Sequence, residues 1–120
     1  MYNKTILIGN LTKDPEVRYT PQGTAVCTFR IAVNYPVKQK EDVLFIDIVA
    51  FDKLAETCGQ YLSKGRTVLV DGRLRERRWE TEEGQQRSKV EVIAQVVQFI
   101  SRKPERTDDF ESIFETEDPF

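Results

Sequence analysis

Apolar and polar residues alternate along most of this chain, so its dominant period is that of β-strands. The alternation runs through residues 3–11 (NKTILIGNL), 25–34 (AVCTFRIAVN), 67–79 (TVLVDGRLRERRW) and 87–100 (RSKVEVIAQVVQFI), each of which predicts a strand. Residues 43–51 (VLFIDIVAF) predict another that is apolar on both faces. Around LTKDPEVRYTPQGT, two prolines and a glycine leave room only for the short extended piece EVRYT. YPVKQKED (35–42) reads as a polar, lysine-containing loop, and ETEEGQQ (80–86) as a glycine-containing hairpin turn. One stretch is helical: in DKLAETCGQYLSKG, Leu54, Cys58, Tyr61 and Leu62 fall at helical spacing, with Asp52 as N-cap and Gly65 as stop.

Five substantial strands with a single helix between the third and the fourth predict an all-β protein of the OB-fold type, a five-stranded Greek-key barrel. The barrel domain spans 1–103. The remainder, 104–120 (PERTDDFESIFETEDPF), is too acidic and too poor in packing residues to join it, and reads as a short disordered tail.

Composition narrows the function classes. The 120 residues are 39% hydrophobic and 32% charged, which suits one globular domain with a heavily charged surface. No apolar run approaches the ~20 residues needed to cross a bilayer, and the N-terminus has no signal-peptide pattern, so a cytoplasmic protein is expected. Cys27 and Cys58 form no CxxC motif and fall in apolar patterns, as buried free thiols would, with a single disulfide as the alternative. Histidine is absent, which removes Ser-His and Cys-His nucleophilic pairs and most zinc sites. No enzyme, metal or cofactor is implied. The net charge of −2 conceals a division: residues 1–103 carry 17 basic and 13 acidic side chains, whereas residues 104–120 carry one and seven. The barrel is therefore mildly basic, and overall acidity does not argue against a polyanionic ligand.

Strand parity separates faces. In 43–51, Leu44, Ile46, Ile48 and Ala50 form an aliphatic face, and Phe45, Asp47, Val49 and Phe51 lie on the wetter one with Val43. In 67–79, Val68, Val70, Gly72 and Leu74 point inward, while Arg73, Arg75, Arg77 and Trp79 share the other face provided that no bulge shifts the later members. In 90–99, Val90, Val92, Ala94 and Val96 make one apolar face and Ile93, Val97 and Phe99 another, a two-sided pattern that suggests a surface for a second copy. Exposed aromatics among cations suit single-stranded nucleic acid, since rings stack on bases whatever their sequence and cations neutralise phosphates. The plainer readings are that Phe45 and Phe51 cover a minor core or interface, that Trp79 packs under Arg77 and Arg87, and that the arginines pair with Glu76, Glu80 and Glu82.

NKTILIGNLTKDPEVRYTPQGTAV, VAFDKLAETCGQYLSKGRTVLVDGRLRERRWETEEGQQRSKVEV and the terminal EDPF resemble the bacterial single-stranded-DNA-binding protein family, over about the first 100 residues and again at the end. That resemblance implies an OB-fold, assembled as a homotetramer, that coats ssDNA without sequence preference in replication, recombination and repair. By the same resemblance, bases stack on Phe45, Phe51 and Trp79, with Tyr35 the nearest aromatic to a further stacking position. Phosphate contacts fall to Lys4, Arg18, Lys53, Lys64, Arg75, Arg77 and Arg78, to which strand parity adds Arg73. Asp47 departs from the family, where some members carry a basic residue. The tail is also shorter than usual, with 104–116 spanning at most ~50 Å before Glu117. Its tip, Glu117, Asp118, Pro119 and Phe120, is expected to dock into apolar, basic pockets of partner proteins; a merely solubilising tail is the alternative. FESIF (110–114) is an additional candidate contact. An adaptor OB protein, an RNA-binding OB domain and, last, a catalytic protein are the other function classes.

Overall fold

A computed structural model describes residues 1–100 of the chain. Its elements in order are β1 (Thr5–Leu11), β2 (Glu16–Tyr19), β3 (Ala25–Val37), β4 (Lys40–Phe51), α1 (Asp52–Tyr61), β5 (Thr67–Glu80) and β6 (Gln86–Phe99). The strands lie in the order β1-β5-β6-β4-β3-β2, and a further antiparallel pairing of β1 with β3, Asn10 to Ala32 and Leu11 to Ile31, closes the sheet. The closed part has five strands, with β2 added on the outer edge of β3 and one parallel pair, β4 with β6. The helix separates the third and fourth long strands. This is the OB-fold barrel that the alternation predicts.

Within the barrel the inward residues are those the parity selects; Leu74, expected inward on β5, and Leu44, on the aliphatic face of β4, lie where their strands run beyond the barrel and are exposed. Ile31, Ile48, Val68, Val70, Val92, Cys27 and Cys58 are the largest side chains fully withdrawn from water, each aliphatic one contributing about 1.5–3 kcal/mol by burial. Both cysteines are free, and burial pushes their thiols up to about 11 for Cys27 and about 12 for Cys58, which leaves them unreactive. α1 rests on β3 through Ala55 and Cys58, both fully buried.

The structure differs from the sequence pattern at three places. The segment 35–42 is no loop: β3 and β4 stay paired out to Val37 and Lys40, and only Lys38 and Gln39 make the turn, Lys38 with φ +54°. Pro36 is compatible with this because, among the described residues, β3 beyond Ala32 has no partner on its other edge. The helix N-cap is Phe51 instead of Asp52 and carries no side-chain cap bond; β4 runs straight into α1, so the strand's last residue takes the capping position. Third, the register between β5 and β6 slips where Asp71 faces Val96 but Gly72 faces Ala94. Gln95 is the extra residue, a bulge on β6 that reverses its parity. Val92, Ala94 and Val97 consequently all meet the core while Val96 stays exposed. Gly72 is required there: a Cβ would lie 2.0 Å from the Ile93 carbonyl oxygen. The bulge, with Ile93 buried opposite Val49, accounts within one chain for most of the two-sided pattern that suggests a partner surface.

Candidate nucleic-acid interface

Directly opposed residues on neighbouring strands share a face, so the strand registers align side chains into rows across the outside of β3, β4, β6 and β5. The central row is Arg30, Asp47, Glu91 and Arg75. On one side of it stand Ala32 with Phe45, Lys89 with Arg77, and Arg87 with Trp79. On the other stand Thr28 with Val49, Ile93 with Arg73, and then Val26 with Phe51, continued by Arg18 on β2. The pairing from Gly72 to Glu80 is unbroken, since the bulge lies on β6, so Arg73, Arg75, Arg77 and Trp79 do share a face. It is the face of Phe45 and Phe51 as well. Phe45 is 58% exposed, Phe51 37% and Trp79 39%, each leaving ring surface uncovered.

An open groove of about 930 Å³ runs along this face. Of the sequence-predicted residues it takes in Phe51, Arg18, Arg75 and Arg77. Its other cations, Lys13, Arg30 and Lys89, escape motif reading; the opposition of Arg30 to Asp47 could be found only from the β3–β4 register. Phe45, Arg73 and Trp79 flank the groove on the same sheet surface without lining it.

Other predicted residues lie elsewhere. Tyr35 opposes Asp42, whose parity is that of Leu44 and Ile46, so it sits on the reverse side of the β3–β4 hairpin from Phe45, its hydroxyl 3.4 Å from Asp42 Oδ2. Arg78 alternates away from Arg77 and pairs with Glu76 at 2.8 Å on the reverse side of the β5–β6 hairpin. Lys4 pairs with Asp71 at 3.0 Å beside β1 and β5. Lys53 begins α1, and Lys64 follows it, its backbone N–H donating to Asp14 Oδ1. None of these five lines the groove. Glu117, Asp118, Pro119 and Phe120, FESIF and the predicted disorder of 104–120 lie outside the described residues, as do the last residues, 101–103, of the predicted barrel domain.

The groove floor is ionic. Asp47 and Glu91 are both buried, an unusual place for carboxylates, and each is held by two cations. Arg30 Nε donates to Asp47 Oδ1 at 2.7 Å, and Lys89 Nζ to Asp47 Oδ2. Arg75 donates to Glu91 Oε2 from Nη2 at 2.5 Å, and Arg77 Nε lies 3.5 Å from the same oxygen. Burial by itself would push the Asp47 carboxyl up, but the bonds and charges of Arg30 and Lys89 outweigh it and hold the group below the usual carboxylate range. The departure from the family at Asp47 is thus balanced locally by two bases. Arg77 also lies over the Trp79 ring, its Cζ 4.6 Å from the centroid, which realises part of the plainer reading of that tryptophan. Arg87 turns instead to Gln85.

Residues 2–100 match the model of the single-strand binding protein family. Among similar proteins, the single-stranded DNA-binding protein of Thermotoga maritima is 52% identical over 111 residues, covering 88% of this chain and 79% of that one. Single-stranded DNA-binding protein 2 of Staphylococcus aureus is 46% identical over 106 residues, covering 86% and 75%. That of Helicobacter hepaticus is 43% identical over 109 residues, and there the match spans 87% of this chain but 64% of the relative. The chain belongs to the single-strand binding protein family.

Proposed function

From this membership we propose that the chain binds single-stranded DNA without sequence preference, laying the strand along the face of β3, β4, β6 and β5. The observation that carries the reading is the placement of three exposed aromatics, Phe45, Phe51 and Trp79, on one continuous surface with Arg18, Arg73, Arg75 and Arg77. Bases stack on the rings, at about 1–3 kcal/mol each, while the cations follow the phosphates. An open groove on a barrel suits a flexible single strand; the one described helix, which carries a single basic residue, Lys53, offers nothing to a major groove.

The wider role follows the family resemblance. In this proposal the chain coats ssDNA during replication, recombination and repair, and its tip, Glu117 to Phe120, recruits partner proteins. It acts as a homotetramer and without catalysis. Self-association is supported by a separate apolar patch outside β1, β5 and β6, where Ile6 and Ile8 are more than half exposed and Val96 nearly so. No described helix is long and apolar enough to cross a membrane.

Titration of the lone tryptophan's fluorescence with oligo-dT, at several salt concentrations and beside duplex and RNA controls, tests the reading. Quenching by dT that weakens with salt, with little response to duplex, is the expected result. No measurable affinity for dT overturns it, and equal affinity for RNA moves the ligand class.

A further inference from the structure

The groove's six basic side chains face four acidic ones, and two of those acids, Asp47 and Glu91, are buried in its floor. They stand directly opposite each other on β4 and β6, like charges on adjacent strands. Burying two like charges side by side is costly unless cations are held against them, as the four around this pair are. An exposed ion pair opens and closes at little cost, but a buried carboxylate cannot release its partner into solvent without being left unpaired. Arg30, Lys89, Arg75 and Arg77 are therefore already engaged by anions before any ligand arrives. Their side chains are still a third to a half exposed and line the groove.

We propose that Asp47 and Glu91 are internal stand-ins for phosphate, which leave the floor cations only partly available and set the protein's affinity and salt dependence below what its basic residues would otherwise give. This rests on the reading that single-stranded DNA lies in the groove. A phosphate meeting the floor shares cations with a carboxylate instead of displacing it, and the four bases count for about two. Arg18 is different in kind: its partner, Glu16, is exposed and 3.7 Å away, and swings aside when a phosphate arrives. Asp47 is the more informative acid, because Asn keeps its shape and still offers an acceptor to Arg30 or Lys89.

The test is equilibrium binding of oligo-dT to the full chain across a salt series, with thermal unfolding to confirm folding. Asp47→Asn should tighten binding about fivefold at low salt and steepen the fall of log K with log salt by ~0.7, one additional neutralised phosphate. Arg30→Gln should cost less than about twofold in the parent and about fivefold in the Asp47→Asn background, where that charge has become available. A folded Asp47→Asn protein that binds as the parent does, or more weakly, overturns the inference while parental binding upholds the ssDNA reading. If Asp47→Asn does not fold, the parent decides: Arg18→Gln should weaken binding several-fold more than Arg30→Gln, and equal losses overturn the inference. A parent that binds no oligo-dT overturns both.

Discussion

From Thr67 to Gly72 every second residue of β5 is buried, whereas from Arg73 to Glu80 all eight are exposed. β4 shows the same division in the opposite order, with Lys40–Phe45 exposed and Asp47–Ala50 buried. Each of these two strands is thus a barrel stave for about half its length and an arm beyond the barrel for the other. The stave halves carry stability through alternating aliphatic burial. The arm halves are held by ladder bonds and cross-strand pairs, bury little, and present Phe45, Arg77 and Trp79. Stability and binding should therefore separate along a single strand, and each prediction below is a way to break that separation.

The largest effect belongs to a stave. Ile48→Ala should lower stability by about 2–5 kcal/mol, read from thermal or denaturant unfolding, while the folded protein keeps its ssDNA affinity. A matching loss of affinity would show that the barrel interior and the groove are not independent. Next come the arm aromatics. Trp79→Ala or Phe45→Ala should weaken oligo-dT binding by about 1–3 kcal/mol and leave the melting temperature nearly unmoved. A large drop in melting temperature would make these rings packing residues.

Asp47 sits between the two regimes. Its folded pKa is depressed, so the stability it contributes is complete above the unfolded-state value of about 3.9 and is lost as pH falls through the lower folded value. Asp47→Asn should cost on the order of 1 kcal/mol at neutral pH, and the gap between variant and parent should close in acid. A gap that persists at pH values well below the carboxylate range would assign the loss to packing. The smallest effect is expected on the reverse of an arm. Arg78→Gln removes an exposed pair with Glu76 and should change stability by less than about 0.5 kcal/mol, with a correspondingly small change in ssDNA affinity. A loss as large as that of Arg18→Gln would mean that the strand wraps both sides of the hairpin.

Much of this was legible along the chain, and the misses cluster where burial stops constraining residue choice. The staves announce themselves because a core admits only apolar side chains at every second position. The arm 35–42 reads as a loop because, outside the barrel, nothing requires YPVKQKED to alternate, and its proline and charges carry the signature of a turn. Tyr35 is only the nearest aromatic to a further stacking position that the family resemblance implies, and two strands that continue in register place it on the opposite side of the hairpin from Phe45. The bulge at Gln95 leaves no mark on β6 itself; its one trace is Gly72 on the partner strand, where any larger residue would strike the Ile93 carbonyl.

By itself the sequence determined the strands, the single helix and the inward set, because burial imposes a period that can be read one residue at a time. It also placed Arg73, Arg75, Arg77 and Trp79 together, since alternation within one unbroken strand is a local property. Only the tertiary structure decided which strands stand side by side, and so brought Phe45 and Phe51 onto the surface of Trp79 and set Asp47 against Glu91, Arg30 and Lys89. Those relations depend on register between segments up to 44 positions apart, as from Asp47 to Glu91. Register is chosen by the packing of the closed barrel as a whole, and no local pattern carries it.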